Sequence, residues 1–241
     1  MFGREDALRD AEALPGYFVD YREKLDSFVR WTDRVCPDGT WEPNLFQFYQ
    51  RVWPKLAAGL PQPFRLEGAE RRDETPAHEA LREAFINALI HADFHGVGGI
   101  VIERYPDRFT LENPGFLLIS LEQYHRGGVS ECRNKALQKM FALIGRGEQA
   151  GSGADKIRTG WRHHHWRAPK LDCYDQPSRV QLVLPMVSLI PEATLSALKE
   201  LFGVDFIEHH VTPSELQALA TASLEGGRCQ GSCRISYAAL F

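Results

Sequence analysis

The segment from Pro76 to Ala92 places the strongest constraint on the fold, because it is apolar on nearly every side of a helix. Apolar residues at helical spacing predict a helix that packs against other elements. Thr75 is typical of an N-cap, and Pro76 suits the first helical turn. We therefore expect a helix at 76–92 that is buried except along one line.

That line is polar. Glu83, Asn87 and His91 follow one another at intervals of four residues. Such spacing puts all three on one helical face, within an arc of about 80°. Burying a carboxylate and an amide without partners costs several kcal/mol. The line therefore either faces solvent or lines a cleft in which a ligand binds.

A zinc site is an alternative interpretation of the same stretch. His91, Asp93 and His95 have the two-residue spacing of ligands on one side of a strand. However, this segment leaves a helix and enters a Gly-rich turn, and it lacks an HExxH pattern. The spacing therefore favours the helical interpretation, and the run His163–His165 is interpreted as an exposed turn rather than a ligand set.

The flanking sequence alternates strand and helix patterns, which indicates an α/β (α+β) domain. Before the apolar helix, a strand is expected within 16–23, a helix after Asn44 with a kink at Pro54, and a short strand within 61–68. After it, we expect these elements: a hairpin at 98–115, helices at 121–126 and 133–145, a helix opening after 151–153, and a strand at 178–187.

From Pro191 onward, the sequence pattern changes from alternating strands and helices to short helices. Residues 191–203 and 212–223 predict two short helices, the second with Thr212 as N-cap and Glu215 completing a capping box. Two short helices after a finished α/β unit indicate a separate small domain. Because the sequence stops on an apolar run, we expect the chain to be a piece of a longer protein.

Bulk composition narrows the class of protein. The hydrophobic fraction of 44% and charged fraction of 25% are typical of a globular chain, and the net charge of −4 gives no overall attraction to nucleic acid. Five cysteines without a CxxC pair indicate neither a disulfide framework nor a zinc finger. The charged amino terminus and the lack of a long apolar run predict a cytoplasmic protein without a membrane span.

Three blocks, in chain order, resemble the divergent GHKL-type ATP-binding domain, whose superfamily includes gyrase B subunits, MutL proteins, heat-shock chaperone ATPases and histidine kinases. The first is Glu83-x-x-x-Asn87, similar to the superfamily's N-box. The resemblance implies that Asn87 holds the Mg²⁺ of the nucleotide and that Glu83 is the catalytic base that activates water.

The run "NALIHADF" (87–94) resembles the RecG-like C-terminal branch, found in bacterial transcriptional regulators with an N-terminal Schlafen AlbA-type domain. Ala92 and Phe94 depart from the Arg and Tyr that are common there. The resemblance implies that His91 and Asp93 form part of the cofactor site. The branch is named after a helicase, but the sequence contains no GxxxxGK[ST] loop.

The second block is "ENPG", which stands where the superfamily has a DxGxG box whose Asp receives the adenine amino group. The resemblance implies that Asn113 and Gly115 bind the cofactor. Glu112 is an alternative to Asn113, because the register is ambiguous by one residue. The second glycine of the box is missing, and Pro114 intrudes.

The third block is Gly151-Ser152-Gly153, at the start of a helix. A Gly-rich turn at a helix N-terminus offers backbone N–H groups and the positive end of the dipole to phosphates. Lys156 and Arg158 add positive charge nearby.

The resemblance implies a two-layer sandwich of a mixed sheet with helices on one face, and a short helical C-terminal appendage. It divides the chain into a connecting α/β segment at 1–75, the ATP-binding domain at 76–190, and the start of a truncated winged helix at 191–241. The expected function is an ATP-binding regulatory domain with ATP and Mg²⁺ as cofactors, a lid at 127–150, and a homodimeric state. DNA would be bound through other domains.

Two further functions remain open. One is a true ATPase of GHKL type. The other is a non-catalytic interaction or dimerisation module that keeps the fold, in which Arg104 or Arg133 would partner the polar line of the helix.

Overall fold

The computed structural model describes residues 3–8, 14–61, 66–67, 70–71, 74–129, 131–145, 153–190, 192–204, 207, 211, 215–216 and 218–220. The helices and strands are, in chain order, α1 (Glu5–Leu8), β1 (Val19–Glu23), β2 (Asp33–Val35), α2 (Leu45–Ala57), β3 (Leu66–Glu67), β4 (Glu70–Arg71), α3 (Pro76–Ile90), β5 (Ile100–Arg104), β6 (Arg108–Pro114), α4 (Leu121–Arg126), α5 (Lys135–Leu143), α6 (Gly153–Arg162), β7 (Lys170–Asp175), β8 (Ser178–Pro185) and α7 (Glu192–Phe202).

A mixed sheet of six strands organises the domain, in the order β2-β1-β5-β6-β8-β7. The β1–β5 pair is parallel, and the other neighbours in this sheet are antiparallel. The short strands β3 and β4 pair separately. The α/β class predicted from the sequence is confirmed.

The two faces of the sheet differ in chemistry, because successive side chains of a strand point to opposite sides. On one face Ile102, Leu111 and Leu182 lie side by side and are buried in the same core as the apolar side of α3. On the other face Glu103 forms an ion pair with Lys24 at 2.8 Å. The result is the expected two-layer sandwich, with helices on the apolar face.

The apolar helix forms as predicted and begins where predicted. Thr75 is the N-cap, Pro76 lies in the first turn, and His78 completes a capping box. The helix ends at Ile90, two residues before the expected end, and His91 is its C-cap. Its apolar side is buried, and each large side chain there contributes roughly 1.5–3 kcal/mol to folding.

Residues before this helix belong to the same core. The predicted strand is β1, in the interior of the sheet, and the helix capped by Asn44 is α2, which contains Pro54. The strands β2 and β7 at the two edges of the sheet were missed by the sequence patterns. Both are mainly exposed or half-buried, so they lack the apolar alternation that predicts a strand.

The chain divides into two compact units, Met1–Val187 and Ser188–Phe241. The second unit contains α7, which confirms the helix predicted at 191–203, and has its own small cluster of buried residues: Ile190, Leu198, Ile207, Leu216 and Ala220. The predicted cap at Thr212 and the expected continuation beyond 220 lie outside the described residues. Among the helices of the described part, none is long and apolar enough to cross a membrane.

Candidate functional site

The polar line of α3 lies in a cleft. Glu83, Asn87 and His91 are half-buried and line one cavity together. The Asn87 side-chain amide donates from Nδ2 to Glu83 Oε1 at 3.3 Å. The backbone N–H of His91 donates to the Asn87 carbonyl at 3.0 Å and so caps the helix. The sequence left open whether this line faces solvent or lines a cleft, and in the structure it lines a cleft.

The cleft lies between α3, the start of α6, the central strands, the segment 116–129 and Glu131. Its walls are mainly apolar, with Leu111 and Leu182 on the sheet side. The cavity measures about 150 Å³. An apolar cavity of about that volume encloses a benzene molecule in another protein. The cleft as a whole therefore has room for a flat aromatic ring, with polar groups along α3.

Asn113 enters this cleft, whereas Glu112 does not. Neighbouring residues of β6 point to opposite faces, and Glu112 forms an ion pair with Arg179 and accepts a hydrogen bond from Gln181 Nε2 at 2.9 Å. Asn113 is 7% exposed and lines the cavity. Its Nδ2 donates to the Pro114 carbonyl at 3.2 Å, so its Oδ1 is the atom that can accept a bond from a ligand. Of the two residues between which the register was ambiguous, Asn113 is therefore the one that faces the cleft.

Asp93 and Gly115 lie beside the cleft but are not among the described residues that line it. The backbone N–H of Asp93 donates to the Pro114 carbonyl at 2.9 Å, and that of Gly115 donates to the Ser178 carbonyl at 2.9 Å. Gly115 has a φ of +101°, and a Cβ there would lie 2.8 Å from the Asp93 Cβ. Both residues therefore shape the wall that carries Asn113.

The imidazole of His91 is neutral at physiological pH. Burial, and secondarily the charge of Arg133, lowers the pKa of His91 to about 4. A neutral imidazole both donates and accepts one hydrogen bond. His91 can therefore recognise an uncharged polar group in the cleft.

The start of α6 closes one end of the cleft. A Cβ on Gly153 would lie 2.6 Å from Glu83 Oε1 and 3.0 Å from Asn87 Nδ2, so a larger residue there requires the Glu83 side chain to move. Gly151 and Ser152 of the predicted block lie outside the described residues. Arg158 donates to the Tyr124 carbonyl at 3.0 Å, and neither it nor Lys156 is among the residues that line the cleft.

The structure gives the zinc interpretation no ligand set. The described residues contain no group of three or more His, Cys, Asp or Glu that could hold a metal ion. His163 is exposed, whereas His164 and His165 are half-buried, so the expected exposure of this turn is only partly correct. His164 stacks on Trp166 with ring centroids 4.7 Å apart.

Sequence patterns missed one wall of the cleft. The loop after Gly115 contributes Phe116, Leu117, Leu118 and Ile119, a run of four apolar residues in a connection. Phe116 is 62% exposed at the mouth. Consecutive large apolar residues in a loop are uncommon unless they line a binding site, and this run was the available signal.

Residues 98–184 match the model of the family described as "Putative ATP-dependent DNA helicase recG C-terminal". This part of the chain therefore has an ATPase-like domain type. The match contains Asn113 and Gly115 as well as the block 151–153. It begins after α3, so Glu83 and Asn87 precede it.

The fold is similar to that of the DIP2311 protein from Corynebacterium diphtheriae, with a TM-score of 0.57 and 19% sequence identity. The similarity covers 89% of this chain and 42% of that chain. This chain therefore spans less than half the length of that protein, and the likeness concerns the fold alone. The comparison with curated proteins gives no match.

Proposed function

We propose that the chain is an ATP-binding regulatory domain of a bacterial transcriptional regulator. The observation that carries the proposal is that Glu83, Asn87, Asn113 and Gly153, which come from three blocks of the sequence, line one cleft. The adenine ring would occupy the apolar part, where Asn113 Oδ1 accepts a hydrogen bond from its amino group. The ATPase-like domain type of 98–184 supports this assignment.

The phosphates would lie at the other end of the cleft, between α3 and the start of α6. The Asn87 Nδ2 donates to Glu83, so the Asn87 amide oxygen is the atom suited to hold Mg²⁺ beside the phosphates. Mg²⁺, when bound, supplies positive charge that balances the phosphate oxygens. The backbone N–H groups at the start of α6 add to this charge balance.

Weak ATP hydrolysis at this site is part of the proposal. Glu83 lies one helical turn before Asn87, so its carboxylate would take the proton from a water molecule that attacks the terminal phosphate, while the bond between the β and γ phosphates breaks and ADP leaves. The regulatory role would come from a difference in ATP affinity between two arrangements of the lid at 127–150, of which 130 and 146–150 lie outside the described residues. DNA binding through other domains, a homodimer and a cytoplasmic location are further parts of the proposal.

The experiment is an equilibrium titration of the protein with ATP in the presence and absence of Mg²⁺, followed by calorimetry. Saturable binding that is tighter with Mg²⁺ supports the proposal. No binding at millimolar nucleotide would contradict it.

A second candidate is a non-catalytic interaction or dimerisation module. The close approach of Gly153 to Glu83 and Asn87 favours it, because the polar line is partly covered by the protein itself. Of the two arginines considered as its partners, Arg104 pairs with Glu23 at 2.8 Å, and Arg133 donates to the His91 carbonyl at 3.1 Å. A dimer whose dissociation constant does not respond to ATP, measured by analytical ultracentrifugation, would favour this module.

A further inference from the structure

The C-terminal end of α3 is capped by a distant segment of the chain. A helix leaves its last carbonyl groups without partners inside the helix. Here Asn134 supplies a donor to the last of them: its Nδ2 donates to the Ile90 carbonyl at 2.9 Å, and also to the Ala92 carbonyl just beyond the helix at 2.8 Å. Its backbone N–H also donates to the Ile90 carbonyl at 3.2 Å. The cap therefore fixes the end of α3 to the segment that begins α5.

Arg133 extends this contact to a second wall of the cleft. Its Nε donates to the His91 carbonyl at 3.1 Å, and its Nη2 donates to the Phe116 carbonyl at 2.8 Å. Its guanidinium also lies over the Phe116 ring, 4.8 Å from the centroid. His91 and Phe116 both line the cavity, and they stand on different walls. One planar side chain thus joins the helical wall to the loop wall.

A simple ion pair does not account for these contacts. The Asp93 carboxylate lies 3.9 Å from the Arg133 guanidinium, measured from Oδ2 to Nη1, whereas the two shorter contacts of Arg133 go to neutral backbone carbonyls. An ordinary helix cap would use only carbonyls of α3. The Phe116 carbonyl belongs to the opposite wall, so the side chain sets the separation between the walls.

We propose that Arg133 and Asn134 are positioning residues of the nucleotide cleft, which hold the Asn87–His91 wall at a fixed distance from Phe116. This inference rests on the proposed function. The planar fork of Arg133 is needed, because a lysine ammonium is a point charge that does not reproduce two fixed donor directions. Asn134 is needed for the end of α3, since its amide serves two carbonyls.

The test compares wild-type protein with Arg133→Met and Arg133→Lys, and it uses Mg·ATP as the probe. Arg126→Met is the matched control, because Arg126 is an exposed arginine that pairs with Glu122 on its own helix. We expect both Arg133 variants to bind Mg·ATP at least about tenfold more weakly. The Arg126 variant should bind as the wild type does.

A spectroscopic readout separates positioning from general loss of structure. The Asn87 side-chain amide resonance should shift in both Arg133 variants without any ligand. The Trp161 indole, which donates to the Pro185 carbonyl at 2.6 Å in the core, should keep its resonance. If Arg133→Met does not fold, the Mg·ATP affinity and the Asn87 resonance of Arg133→Lys alone test the inference.

Three results would overturn the inference. The first is an affinity for Mg·ATP within twofold of the wild type in either Arg133 variant. The second is an Asn87 resonance that stays in place in the variants. The third is loss of the Trp161 resonance in both variants together with loss of Mg·ATP binding. If wild-type protein binds no ATP, the proposed function fails, while the Asn87 resonance in the variants still decides whether Arg133 positions this wall.

Discussion

Asn87 donates its side-chain amide to the carboxylate of Glu83 across one turn of α3, at 3.3 Å. The contact orients both groups at once. It directs the Asn87 oxygen away from the carboxylate, and it holds the Glu83 carboxylate beside the start of α6. A base and a metal-binding amide would both need this fixed geometry in the proposed ATP site.

Replacing Glu83 by Gln should separate hydrolysis from binding. The amide keeps the size of the side chain but no longer takes a proton, so ATP turnover should fall by about 10²–10⁴-fold. The affinity for Mg·ATP should change little. Phosphate release and calorimetry measure the two quantities. Glu79→Gln, an exposed position on the same helix, is the control, and equal turnover in all three proteins would exclude Glu83 as the base.

Replacing Gly153 by Ala should weaken the phosphate end of the site. The new Cβ would lie 2.6 Å from Glu83 Oε1, so Glu83 or the start of α6 must shift. We expect ATP affinity to fall by roughly tenfold or more, equivalent to about 1.4 kcal/mol. Gly3→Ala is the control, because its Cβ would meet Leu8 at an ordinary 3.5 Å. Unchanged ATP affinity in the Gly153 variant would show that phosphates do not bind there.

Replacing Gly160 by Ala should destabilise the whole first unit. Gly160 lets α6 approach α3, and a Cβ there would lie 2.7 Å from the Ala80 Cβ and closer still to the Pro76 carbonyl. Overpacking of this kind costs about 1–3 kcal/mol of unfolding free energy. Urea unfolding measures it, again with Gly3→Ala as control. A midpoint equal to that of the wild type would contradict the close packing of the two helices.

Stability should fall with acidification. Burial, and then the neighbouring His163, His78 and His165, lowers the pKa of His164 to about 4. Burial also lowers the pKa of His78, against the opposing influence of Glu74. A histidine with a lowered folded-state pKa takes up its proton more readily when unfolded. The contribution of His164 to stability is therefore complete above pH 6.5 and is lost as the pH falls toward 4, and that of His78 is lost in the same direction.

The change of the unfolding free energy with pH is measurable. His164 reduces the unfolding free energy by at most about 1.4 kcal/mol per pH unit between pH 6.5 and pH 4, and by less than this ceiling because its side chain is only half-buried. His164→Gln should make the dependence shallower, whereas His125→Gln, at an exposed position, should not. Urea unfolding between pH 7 and pH 4 measures both. Identical slopes in wild type and the His164 variant would show that His164 does not contribute.

Local sequence information predicted the elements that carry strong patterns. The capped apolar helix α3 and the β5–β6 hairpin follow from periodicity and from Thr75 and Pro76. The alternation along β6 could not decide between Glu112 and Asn113 until the strand's pairing with β8 fixed which of them faces the helices.

The remaining features depend on contacts between distant residues. Asn134 caps α3 from a position 44 residues after Ile90, and no local pattern reveals such a cap. The edge strand β7 is recognisable only through its pairing with β8. The role of Gly153 likewise follows from its approach to Glu83, which the sequence cannot show.

The central claim is that Mg·ATP binds between α3 and β6. The most direct measurement follows the side-chain amide resonances of Asn87 and Asn113 in an NMR titration with Mg·ATP. Binding in the cleft predicts that both resonances shift and saturate with one dissociation constant. If both stay in place at millimolar Mg·ATP while the protein remains folded, the cleft is not an ATP site.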